Sequence, residues 1–228
     1  MPTLAWTTYG YSGRVRPVRG PAIGLGLVYL LSIVLLGELL GSTADSSTAY
    51  QTHFGKDSAV TVDLVGSILL VVAAVMLTWT VISVRSATAP RIGTTSRDLA
   101  TALGLVAAST ITAAAGLLMT VPFAATLGRV TGDPGVAPDV QAGIAQAGSV
   151  VLFVAAIPLA VTVVLLARLG AGQGSVPRWV VVTAWVTAAL LLLGASVALL
   201  MPFAAWSVAL GLTWRSAGHE SSIQITAP

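Results

Sequence analysis

Between Trp179 and Trp214 the chain runs for thirty-six residues, both tryptophans included, without one charged side chain. A helix rises about 1.5 Å per residue, so a single straight helix over this stretch would be on the order of 50 Å long. The hydrocarbon core of a bilayer is only about 30 Å thick. The surplus has no reason to enter water, because Phe203, Trp206, Val208, Leu210 and Leu212 are as apolar as the residues before them. The chain therefore has to turn back on itself. Gly194-Ala195-Ser196 and Met201-Pro202 are the only punctuation it offers, and both are turn-forming. Two crossings joined by a tight hairpin, 179–195 and 197–214, meet both constraints.

The rest of the chain reads the same way. Only 8% of its 228 residues are charged and 56% are hydrophobic, whereas a soluble domain carries about 25% charged residues. So few charges cannot cover a water-facing surface, and the chain is expected to be an integral membrane protein. The net charge of +3 does not point to nucleic acid, because the charges are scattered at segment ends instead of forming a phosphate-binding face. Cysteine is absent, which excludes disulfides, thiolate metal sites and thiol nucleophiles.

Residues 1–21 form a polar, arginine-bearing N-terminal tail, and 216–228 a polar C-terminal one. Between them lies a single transmembrane domain, 22–215, with spans at about 22–40, 63–84, 99–127, 144–167, 179–195 and 197–214. The first span resembles a secretory leader followed by the small residues Ser42-Thr43-Ala44. A leader's apolar region is about 7–15 residues long, however, and this run is nineteen. It reads as an uncleaved first helix. Turn signals at Asp133-Pro134-Gly135 and a Gly-rich connection ending at Pro177-Arg178 separate the later spans.

The basic residues set the orientation. With six crossings and a cytoplasmic N-terminus, Arg14, Arg16, Arg19, Arg85, Arg91, Arg97, Arg168, Arg178 and Arg215 all fall inside, and only Lys56 and Arg129 outside. Five crossings would move Arg215 outside. The expected fold is thus an all-α polytopic bundle of six helices, five being the alternative, with N and C termini cytoplasmic. Trp79, Trp179 and Trp214 then all lie near the inner interface, where an aromatic belt belongs.

Residues with chemical potential are few. Glu38 is the only carboxylate inside an expected span, two residues from its outer end. Intramembrane charges are costly and point to function by default, although a carboxylate this close to the interface also reaches water, Lys56 or Arg129. Asp63, at the outer mouth of the second span, is its neighbour, and His53 in the long polar segment 41–62 completes the candidate group. One histidine with scattered acids, no HExxH and no cysteine makes a poor metal site, so no metal is expected. Nothing in the sequence calls for a cofactor. There is no GxSxG, P-loop or paired-carboxylate signature, and no loop exceeds twenty-two residues. A catalytic function is not expected, and a lipid-acting enzyme built on Glu38, Asp63 or His53 ranks last.

In the third span Ser109, Thr110 and Thr112 cluster, and Gly104, Ala108, Thr112 and Gly116 repeat every four residues. Such a small-residue stripe lets a neighbouring helix approach closely, in the same chain or in another subunit. Pro122, Pro158 and Pro202 lie inside spans, where neighbouring helices tolerate them.

The run from Gly24 to Val34 (GLGLVYLLSIV) with Glu38, the Val176-Pro177-Arg178-Trp179 opening of the fifth span, and Trp206-Ser207-Val208 in the last carry a resemblance in pattern. The chain resembles small six-pass integral membrane proteins of actinobacteria, a group to which no activity attaches. The resemblance implies a helical bundle in the plasma membrane and nothing about chemistry. The expected function is that of a non-enzymatic multi-pass protein of the bacterial plasma membrane. It would act through lipid, a membrane protein partner or a homo-oligomer, or as an outer-face sensor. The alternative is a small permease or channel-like transporter with a pathway past Glu38, Asp63 and the Ser/Thr cluster.

Overall fold

The computed structural model describes residues 18–42, 57–88, 94–131, 137–193 and 200–215. Among these residues all the regular secondary structure is helical. Six principal helices form, one in each apolar stretch, with a short seventh that prolongs the first. They are α1 (Arg19–Leu35), α2 (Gly37–Ser42), α3 (Asp57–Ala87), α4 (Thr94–Thr131), α5 (Pro138–Gly172), α6 (Arg178–Leu193) and α7 (Met201–Thr213).

Three of them, α3, α4 and α5, are long and apolar enough to cross a membrane. At 31, 38 and 35 residues they run roughly 45–57 Å and overshoot a hydrocarbon core of about 30 Å. The overshoot is polar, as in the Thr94-Thr95-Ser96-Arg97-Asp98 opening of α4. By contrast, α6 and α7, at 16 and 13 residues, reach only about 20–24 Å. The break between them spans the charge-free stretch, and residues 194–199 lie outside the described residues. Met201-Pro202 does not form the turn itself but opens α7, where a proline in the first turn loses no helical hydrogen bond.

The helices close into a ring. Each sequence neighbour packs on the next, from α3 through α7, while α1 packs on both α3 and α7 and so joins the two ends of the chain. The neighbours run antiparallel: Gly24 faces Met76 and Gly66 faces Leu36 between α1 and α3, and Gly104 faces Val81 between α4 and α3. Because α7 is short, it flanks only the first turns of α1. Beyond it, α2 leans onto α5, and Leu36 and Leu39 are fully buried there.

Among the described residues, the α1–α7 contact is the tightest to be built from glycine. A Cβ on Gly26 would stand 2.5 Å from the Ala204 carbonyl oxygen, and one on Gly211 would stand 2.9 Å from the Arg19 carbonyl oxygen. Backbone touches backbone here, which only glycine permits. Tyr29 and Phe203 pack edge to face beside it, with ring centroids 5.1 Å apart.

All described arginine side chains lie at one end of the bundle. Arg19 Nε donates to the Trp214 carbonyl at 3.0 Å, and Arg85 pairs with Asp98 at 2.9 Å across the α3–α4 turn. Arg168 lies over the Trp185 ring, 5.5 Å from its centroid. The α5–α6 connection closes the same end through Gly174, whose φ of 68° suits glycine. Trp79 and Trp179 face outward, as a belt residue should, but Trp214 does not. It is 3% exposed and packs against Gly170, so it belongs to the core.

The outward surface of the ring is apolar. Leu27, Leu31 and Val34 of α1, Val65, Ile68 and Val75 of α3, Val154 and Ile157 of α5, and Val182 and Leu192 of α6 are all exposed. Such a surface is stable against lipid and not against water.

Candidate functional site

Asp63 is the residue around which a site can be built. The sequence places it at the mouth of a span, but α3 begins six residues earlier, at Asp57, and carries Asp63 inward. Its exposure is 1%, and no other charged residue is buried among the described residues. It lies one turn from Gly66, which packs on Leu35 and Leu36, so it stands at the height where α1 gives way to α2. One turn further into the bundle, the buried Ser67 Oγ donates to the Asp63 carbonyl at 2.8 Å. Burying a carboxylate in low dielectric costs several kcal/mol unless it is paired or protonated, and membrane proteins keep such groups where they are used.

The other residues singled out above fall differently. Glu38 belongs to the backbone of α2, while its side chain lies outside the described residues, as does the whole of His53. Lys56 and the Arg129 side chain lie outside them too. Among the described residues, no three His, Cys, Asp or Glu side chains come together as metal ligands would.

The Ser/Thr cluster of α4 does not reach Asp63. Ser109 and Thr112 are exposed on the ring's outer surface. The register of Gly104 on Val81 sets them roughly 15–20 Å from Asp63 along the bundle axis. Thr110 and Thr112 give their hydroxyls to the Val106 and Ala108 carbonyls of their own helix, at 2.8 and 2.9 Å. The same back-bonding recurs inside the bundle, at Thr80, Ser149, Thr162 and Ser207. A hydroxyl that gives its proton to its own i−4 carbonyl has no donor left for a solute and offers only its lone pairs. Thr162 and Thr126 each bond the carbonyl of the proline four residues before, Pro158 and Pro122.

The small-residue stripe splits. Gly104 is buried against Val81 of α3 and Thr162 of α5, and Ala108 is buried with it. Thr112 and Gly116 turn outward, and a Cβ on Gly116 would meet nothing within 4 Å. A strict four-residue repeat drifts round a 3.6-residue helix by about 40° per step, and three steps carry it from core to surface. Its outer half continues with Ser109, Ala113 and Thr120, all exposed.

Sequence reasoning missed Gly26 and Gly211. Gly26 follows Gly24 in one apolar run and Gly211 stands alone in another, and no spacing marks either as a contact point. No protein-family model, no curated protein and no solved structure matches the chain.

Proposed function

We propose that this is a non-enzymatic multi-pass protein of the bacterial plasma membrane, crossing six times with both termini cytoplasmic, and that it works by holding a membrane partner. The observation that carries this reading is the outer face of α4. Where the other helices present Leu, Val, Ile or Trp to lipid, α4 presents Ser109, Thr112, Ala113, Gly116 and Thr120 at its centre. Lipid tails are as apolar as leucine and gain nothing from this composition. A second helix does, because small side chains let it approach to backbone contact.

The test is Gly116→Leu. Since a side chain there meets open space, the single chain should fold and express as before. Chemical cross-linking in membranes, followed by gentle purification, should then lose a stoichiometric partner or a second copy. An unchanged cross-linking pattern would sink the reading.

A second reading rests on Asp63. A fully buried carboxyl at this depth supports a small permease or channel-like protein in which Asp63 carries a proton or cation. It predicts that Asp63→Asn keeps the fold and abolishes proton or cation leak through reconstituted vesicles. Equal leak from wild type, variant and empty vesicles would remove it.

A further inference from the structure

At the arginine-bearing end, α1, α6 and α7 enclose a cleft of about 450 Å³ lined by Arg19, Pro177, Trp179, Leu212, Thr213 and Arg215. We propose that it binds the phosphate headgroup of an anionic phospholipid, with the acyl chains lying along Trp179 and Leu212.

Four features converge. Two guanidiniums, Arg19 and Arg215, line one cleft, and among the described residues neither forms an ion pair with a carboxylate, whereas Arg85 pairs with Asp98. Both are held in place. Arg19 Nε is tied to the Trp214 carbonyl at 3.0 Å, which leaves its two terminal nitrogens to point elsewhere. The Arg215 backbone N–H donates to the Ser175 carbonyl at 2.8 Å, pinning the residue to the α5–α6 connection. The cleft also borders the first turn of α6, which starts at Arg178; a helix N-terminus carries about half a positive charge and unsatisfied N–H groups. Finally, its rim is apolar on the membrane side. Trp179 and Leu212 are both exposed, so a ligand matched to the whole cleft has an anionic head and an apolar body. Basic pockets between transmembrane helices on the cytoplasmic side suit phospholipid headgroups.

The cleft at the α3–α4 turn is the contrast. It too contains two arginines, Arg85 and Arg97, but Asp98 already occupies Arg85. The inference requires only that the protein spans a membrane, and not that α4 binds a partner.

The experiment uses the full chain in phosphatidylcholine nanodiscs with and without phosphatidylglycerol. Bound lipid is counted by native mass spectrometry, and stability is followed by thermal unfolding. Phosphatidylglycerol should be retained and should raise the midpoint. Arg215→Gln should weaken retention by about tenfold or more, since it removes a charge-assisted hydrogen bond to the phosphate. Arg19→Gln should do the same, and Arg85→Gln should not. Three results would overturn the proposal. One is no preference for phosphatidylglycerol over phosphatidylcholine. Another is equal loss from Arg85→Gln, which would mean a diffuse basic belt. The third is equal stabilisation by inorganic phosphate alone, which would mean a soluble anion. None of these bears on the Gly116→Leu result, so the two readings fail separately.

Discussion

Glycine is used in two opposite ways in this bundle, and the difference decides what a methyl group would do. At Gly26 a Cβ would stand 2.5 Å from the carbonyl oxygen of Ala204 and 3.0 Å from the Val208 nitrogen. Neither atom is the loose end of a side chain, so α1 and α7 would have to separate. Gly26→Ala should therefore destabilise the protein by about 1–3 kcal/mol, the usual range for overpacking. At Gly116 nothing lies within 4 Å, and Gly116→Ala should change stability by about 0.5 kcal/mol or less. Thermal unfolding of both variants in detergent checks the pair, and equal midpoints would contradict the α1–α7 packing. Asp63 belongs to the same scale. Its burial follows from the start of α3 at Asp57, because six extra helical residues turn an interfacial position into an interior one.

Among the elements, the α6–α7 hairpin has the least to hold it, being made of the two shortest principal helices. A polar contact ties its arms: the buried Trp206 indole N–H donates to the Val180 carbonyl at 3.2 Å. Trp206→Phe keeps an aromatic ring but removes the donor. It should cost about 1 kcal/mol, and hydrogen exchange should rise in 178–193 before it rises in α3–α5. Uniform exchange across all helices would argue against a separately loosened hairpin. Apolar run length and charge position mark where each helix lies, because the bilayer imposes both. Which helix touches which is not written in hydropathy. The α1–α7 pairing depends on two glycines 185 positions apart in the numbering, Gly26 and Gly211. The face that Trp214 presents depends on Gly170. The small-residue stripe of α4 was visible as a repeat, but its division into a buried and an exposed half required knowing where α3 and α5 sit.

For the molecule as a whole, the ring closure carries a statement about parity. Arg19 at the start of α1 bonds the carbonyl of Trp214 at the end of α7, so the first and last helices meet at the same end of the bundle. An even number of traverses is what this requires, and it supports six crossings over five. A sixth crossing meets this parity, and so does an α6–α7 hairpin that enters at the basic end and returns from mid-membrane, since α7 at 13 residues is only about 20 Å long. The chain has no cysteine, so single introduced thiols can separate these cases without background. Six crossings predict that a thiol from Asp139→Cys is labelled by an impermeant reagent in intact cells, and that one from Ser221→Cys is labelled only after permeabilisation. Position 196 decides the rest. A thiol from Ser196→Cys should be labelled in intact cells if α6 and α7 each reach the outer face. Protection of Ser196→Cys together with Ser221→Cys would leave four crossings and a re-entrant pair. Labelling of Ser221→Cys in intact cells would defeat both and restore five.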